Sequence, residues 1–148
     1  MKITSGTKYL VDTNILVYGY DAKSPYHKKA RNLLENLVLQ NIDIYVSVQN
    51  IVELCNVLVK AYGVSSPSVA SYVQEIMLDF KIIVPKIDTI SLFLNLFQKT
   101  TKGKLYMFDV FLAATMLDNA ITRIITFNEK DFVGLEGVFV YNPRKNRI

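Results

Sequence analysis

The sequence predicts an α/β protein, a three-layer α/β/α arrangement around a central parallel sheet of four to five strands. Three observations lead there. Short β-rich runs alternate with longer stretches of helical periodicity, the pattern of parallel strands joined by covering helices. Ser-Pro pairs and glycines punctuate the helical stretches at their starts and ends, as capping chemistry requires. The chain has 148 residues, 51% of them hydrophobic and 20% charged, which suits one domain, 1–148, with a sizeable core.

The elements follow in order. Residues 8–11 form a short apolar run that reads as the first strand, and Asp12-Thr13-Asn14 breaks it before a short helix over 15–20. Ser24-Pro25 is a helix start, followed by Ala30, Leu33, Leu34, Leu37 and Val38 at helical spacing. Residues 43–46 read as the second strand; Ser47 caps the helix that runs to about Tyr62, and Gly63 ends it. Ser66-Pro67 repeats the start signal for a helix through Leu78. Residues 81–84 read as a third strand closed by Pro85, and Asp88 can cap a helix whose apolar face includes Ile90, Leu92, Phe93, Leu96 and Phe97. Gly103 separates it from a helix over 105–119, and residues 123–126 and 138–141 read as strands four and five. The basic tail, 142–148, is expected to fray. The sequence shows no repeat and no linker long enough to divide the chain.

In such sheets, ligands bind beyond the carboxyl ends of the strands. Asp12 ends strand one, Glu53 lies near the start of the helix after strand two, and Asn128 and Asp131 follow strand four. These groups are expected to gather at one edge. Asp109, on the helix entering strand four, is not placed by topology alone.

Composition removes several chemistries. Cys55 is the sole cysteine, which excludes an intrachain disulfide and argues against a thiolate zinc site. His27 is the sole histidine, which argues against triads and paired-histidine metal sites. Carboxylates must therefore carry any catalysis. The net charge of +4 permits a nucleic-acid partner without demanding one. The apolar stretches fall short of a membrane span and the N-terminus has no signal-like run, so a cytoplasmic location is expected.

Asp12, Glu53 and Asp109 each sit inside an apolar segment, with no basic residue beside them. Ionised carboxylates are seldom left in apolar surroundings unpaired, because desolvating the charge costs several kcal/mol. Three on separate segments point to a shared divalent cation, since hard ions take carboxylate oxygens. Simpler roles compete residue by residue. Asp12 suits an N-cap, and Glu53 suits the positive end of its helix; Asp109 has the poorest such explanation.

Taken together, Tyr9-Leu10-Val11-Asp12-Thr13-Asn14-Ile15-Leu16, Asn50-Ile51-Val52-Glu53-Leu54, Phe108-Asp109-Val110-Phe111-Leu112-Ala113-Ala114-Thr115 and Ile125-Thr126-Phe127-Asn128-Glu129-Lys130-Asp131-Phe132 resemble, in order and spacing, the four motifs of PIN-domain nucleases. The resemblance runs from about residue 8 to residue 132. The compact size and Ala113-Ala114-Thr115 look most like the VapC-type toxins of prokaryotic toxin–antitoxin pairs. It implies a PIN-like fold and a ribonuclease dependent on Mg2+ or Mn2+, leaving a 5′-phosphate and a 3′-hydroxyl. It also implies a cognate antitoxin and a homodimer, whose interface the apolar helices between residues 66 and 99 can supply, unless they are ordinary core. Asp12, Glu53 and Asp109 carry over as metal-binding acids. The fourth position is often Asp in the family and is Asn128 here; Asp131, three residues on, can supply the missing carboxylate or cap a turn. The number of ions, one or two, hinges on that departure.

Other residues carry open alternatives. Thr13 and Thr126 can orient carboxylates or serve the turn and strand, and Asn14 suits a supporting or turn role. Lys99, Lys102 and Lys104, and Arg144, Lys145 and Arg147, can reach RNA phosphates or simply be solvated. Tyr18, Tyr20 and Tyr106 can stack on bases or pack in the core. His27 is expected at the surface and Cys55 in the core. Asn128 keeps open a non-catalytic, RNA-binding or scaffold member of the same fold. A haloacid-dehalogenase-type phosphatase ranks last, because Asn14 stands where that chemistry needs a second Asp.

Overall fold

A computed structural model of the chain describes residues 3–99 and 107–145. Its axis is β1 (Lys8–Val11), flanked by β2 (Asp43–Ser47) and β4 (Arg123–Ile125), with β3 (Lys81–Ile83) and β5 (Phe139–Tyr141) at the edges. All four pairings are parallel, and the strand order is β3-β2-β1-β4-β5. This is the α/β/α arrangement around a five-stranded parallel sheet that the sequence predicts.

The side-chain alternation of β1 divides the core in two. Tyr9 and Val11 face one layer, packed with α1 (Thr13–Tyr20), α2 (His27–Leu39), α3 (Val48–Lys60) and α4 (Ser66–Asp79). Leu10 faces the other, packed with α5 (Thr89–Lys99) and α6 (Met107–Asp118). All three are fully buried, as a central parallel strand covered on both faces requires. α5 and α6 are pinned by the Thr89 hydroxyl donating to Asp118 Oδ2, Lys86 Nζ donating to the Asp118 carbonyl, and an edge-on contact of Phe93 with Phe111.

The chain leaves β1 for β2 on one side and later returns as β4 on the other, so a topological switch point lies between β1 and β4. A crevice forms there at the carboxyl ends. The Asp12 amide donates to the Ile125 carbonyl, and the Thr126 amide to that of Tyr141. The two residues just past β1 and β4 are thereby held level at that crevice.

Several local expectations are corrected. Ser24 does not cap α2: its Oγ accepts from the Tyr26 amide in a tight turn, and the helix begins two residues later. Ser65, not Ser66, caps α4, with Pro67 in its first turn. Strand four stops at Ile125, which frees Thr126 for other bonds. Ile90, expected on the buried face of α5, is largely exposed. Most of the tail described here does not fray. Asn142 and Pro143 are buried, the Arg144 guanidinium lies 4.3 Å from the Tyr26 ring centre, and Lys145 pairs with Glu129 at 2.6 Å. Cys55 is only partly buried, at the edge of the first core layer. His27 is half-buried, with Nδ1 2.9 Å from the Tyr18 carbonyl oxygen. Among the described residues, no helix is long and apolar enough to cross a membrane.

Ser47 carries the α3 start as expected, with a reciprocal partner. Its Oγ accepts from the Asn50 amide at 3.0 Å, while Asn50 Oδ1 accepts from the Ser47 amide and hydroxyl. Ser47→Ala removes this buried cap, and chemical denaturation is expected to show a loss of about 1–2 kcal/mol. An unchanged denaturation midpoint would mean that the box does not hold α3.

Candidate active site

Asp12 sits one residue past β1 and only 7% exposed. It is both N-cap and site residue, so the two readings of the sequence do not exclude each other. Its Oδ1 accepts from the Thr13 amide at 2.7 Å, capping α1. Its Oδ2 accepts from the Thr126 hydroxyl at 2.7 Å and from Asn14 Nδ2. Asn14 also donates to Thr126 Oγ1 and accepts from the Phe127 amide, and the Asn128 amide donates to Thr126 Oγ1. One strand end therefore grips the other through Asp12, Asn14 and Thr126.

Glu53 lies on the second turn of α3 and is oriented from both sides. Oε2 accepts from the Thr13 hydroxyl at 2.8 Å and Oε1 from Gln49 Nε2 at 2.9 Å. The Thr13 oxygen in turn accepts from Asn50 Nδ2 at 3.1 Å, and Asn50 is fully buried. Ser47, Asn50, Thr13 and Glu53 thus form a continuous relay from the cap of α3 to the carboxylate. Thr13 and Thr126 take the orienting roles that the sequence left open.

Asp109 projects from the first turn of α6, and Asp131 from a 3-10 turn (Glu129–Asp131) after β4. Both are partly buried. All five sequence-selected site residues, Asp12, Glu53, Asp109, Asn128 and Asp131, line one open cleft of about 300 Å³. Thr13, Asn14, Val17, Tyr18, Val57 and Tyr62 complete its wall. Asn128 is exposed at the rim.

The electrostatics are those of an unneutralised cluster. Burial pushes the Asp12 carboxyl up to about 6, against the downward pull of its bonds from Thr126 and Thr13, with Glu53 and Asp131 adding repulsion. Burial likewise pushes Asp109 up to about 7, helped by repulsion from Asp12, Asp131 and Glu53. Asp131 therefore adds a negative charge that both other aspartates feel; Asn128 adds none. Among the described residues no lysine or arginine pairs with any of the four acids; the ion pairs lie elsewhere.

This donor set fits a hard divalent cation: four carboxylates, a neutral amide at the rim and no soft ligand. As the side chains stand, no three acids among the described residues already meet around one point. The arrangement suits an ion that keeps part of its water shell, as Mg2+ does.

The sequence reading missed Gln49 and Asn50. The signals were present: Ser47 and Asn50 have the spacing of a capping box, and Gln49 and Glu53 are four apart on one helix face. Other candidates fall away from the cleft. Lys99 Nζ pairs with Glu136 at 2.6 Å, and Tyr20 packs on Tyr72. Tyr18 is a cleft wall, in contact with the rings of Tyr26 and Phe127. Lys102, Lys104, Tyr106 and Arg147 lie outside the described residues.

Comparison with known proteins bears on the family and the fold. The family model for the PIN domain matches residues 9–136. No curated protein matches in sequence. Among solved structures, the chain is similar to a toxin–antitoxin complex from Klebsiella pneumoniae, with 26% identity and a TM-score of 0.66 over 91% of this chain and 97% of that one. It is similar to VapBC2 from Rickettsia felis, solved bound to a DNA fragment from its promoter, with 19% identity and a TM-score of 0.71 over 92% and 98%. It is also similar to VapC20 from Mycobacterium tuberculosis, a toxin described as cleaving the sarcin-ricin loop, with 14% identity and a TM-score of 0.63 over 78% and 86%.

The raised carboxyls fix a pH dependence for the metal-free protein. Asp109 titrates near 7 and Asp12 near 6 when folded, against an ordinary value of 3.8. Between about pH 4 and 7 the folded state holds more protons than the unfolded one, so stability falls as pH rises. In chelator, the melting temperature is expected to rise as pH drops from 7.5 to 5.5, and Asp109→Asn is expected to flatten that slope. A wild-type profile that is flat or rises with pH would contradict the cluster.

Proposed function

The chain belongs to the PIN-domain family, and on that premise we propose that it is a metal-dependent endoribonuclease, hydrolysing RNA phosphodiester bonds with Mg2+ or Mn2+. We further infer that it is the toxin of a VapBC-type toxin–antitoxin pair. The observation that carries the enzymatic reading is the convergence of Asp12, Glu53, Asp109 and Asp131 on one cleft without a cationic partner among the described residues.

In this reading Asp12, Glu53, Asp109 and Asp131 hold the cation, and Asn128 offers a neutral oxygen or steadies a water at the rim. A divalent ion bound there would polarise a phosphoryl oxygen and acidify a water for in-line attack on phosphorus. The protein contributes orientation. Thr126, Asn14 and the Thr13 amide fix both oxygens of Asp12, while Thr13 and Gln49 fix both of Glu53. Carboxylates held in place reorganise little as charge develops, which is where electrostatic catalysis gains most. Asp131 is the fourth acid, because its charge is felt by Asp12 and Asp109 alike.

The partner reading rests on the solved neighbours, which include toxin–antitoxin complexes. Exposed apolar side chains on and around the helices between residues 66 and 99, among them Leu78, Ile87, Ile90 and Leu94, suit a homodimer or a bound antitoxin. Asn128 favours the second reading, an RNA-binding or scaffold PIN domain without catalysis, because it takes one negative charge from the family pattern.

The two readings separate on a structured RNA pool incubated with Mg2+, with Mn2+ and with EDTA. Metal-dependent cuts are expected, abolished by Asp12→Asn and by Asp109→Asn while both variants stay folded. Thr126→Val removes a donor that orients Asp12, and is expected to lower the rate about 10- to 100-fold. RNA that is bound and never cut by folded protein in either metal would move the chain to the second reading.

A further inference from the structure

One buried polar atom stands apart from the hydrogen-bond network. Gln49 Oε1 is the buried side-chain oxygen or nitrogen without a partner among the described residues. Burying an amide oxygen unsatisfied is unfavourable, because it gives up its hydrogen bond to water. The same amide accepts this cost in order to place its nitrogen. Nε2 donates at 2.9 Å to Glu53 Oε1 and at 2.9 Å to the Phe108 carbonyl. Both partners only accept, so turning the amide over would set oxygen against oxygen twice.

Phe108 directly precedes Asp109 in the first turn of α6. Among the described residues, the Gln49 amide gives that turn a side-chain hydrogen bond from α3. Met107 and Phe108 are exposed, and α6 packs mainly on α5 in the opposite core layer. The Gln49 amide thus links one acid, Glu53, to the turn that carries another, Asp109.

We propose that Gln49 is a positioning residue that sets the spacing between Glu53 and Asp109, and thereby the affinity of the cleft for a divalent cation. The inference rests on the metal-dependent reading above and deepens it. Gln49 touches neither substrate nor reacting atoms in this account; it acts through the two acids. The effect of removing it must therefore depend on Asp109 being present.

The test is Mn2+ binding by titration calorimetry on the full chain, without RNA, for wild type, Gln49→Met, Asp109→Asn and the double variant. Gln49→Met keeps length and apolar bulk, removes the orphaned oxygen and is expected to leave thermal stability intact. Gln49→Ala provides the same comparison should the methionine variant lose its cooperative transition. Gln49→Met is expected to weaken Mn2+ binding about 10- to 100-fold in the wild-type background and by much less in the Asp109→Asn background. Equal affinity for wild type and Gln49→Met would overturn the proposal, as would equal losses in both backgrounds, which would confine Gln49 to Glu53. A wild-type chain that takes up no Mn2+ would overturn the metal-dependent reading and this inference with it.

Discussion

Like charge held in one place is the constraint on which the rest of this molecule turns. Four carboxylates line a single cleft at the carboxyl edge of the sheet, and among the described residues no lysine or arginine answers them. Burial and mutual repulsion push the protons of Asp12 and Asp109 toward neutral pH. A fold selected for stability alone has no reason to keep such a cluster, since replacing one member would relieve the repulsion. A divalent cation bound in the cleft would supply the missing attraction.

The surrounding structure holds the acids in place through shared hydrogen bonds. At the crevice of the switch point between β1 and β4, Asp12, Asn14 and Thr126 bridge the two strand ends. The cap of α3 is not a separate device, because Asn50 serves both the Ser47 box and the Thr13 hydroxyl that steadies Glu53. Helix starts, strand ends and site residues therefore share atoms. A change that looks structural at Ser47 or Asn50 will be felt at a carboxylate, which is the pattern of support that metal sites elsewhere depend on.

Much of this was legible in the sequence because it follows from periodicity and topology. The strands fell where β-rich runs stood, and the parallel sheet placed Asp12, Glu53, Asn128 and Asp131 at one edge by a general rule of such folds. Asp109 was legible as chemistry but not as position, because its place depends on how α6 packs and on contacts such as the one from Gln49 to the Phe108 carbonyl. The side-chain relay through Asn50 could not be read, since it joins residues 37 apart in sequence across two elements. The errors were local. Ser24 and Ser66 carried cap chemistry, but the neighbouring turns shifted the helix starts by one or two residues. The polarity of the tail predicts fraying, whereas Asn142 and Pro143 are buried and Arg144 lies against Tyr26 and Phe127. A guanidinium can cover aromatic surface while its edge remains in water, which composition does not reveal.

The most direct test of the central claim is to locate the cation. Crystals of the full chain soaked in Mn2+ would be measured near the manganese edge, where anomalous scattering marks the ion itself. The account predicts an anomalous peak in the cleft, with Asp12 among its ligands and Glu53, Asp109 and Asp131 drawn toward it directly or through water. A peak on another part of the surface, or an empty cleft in crystals that hold manganese elsewhere, would contradict it.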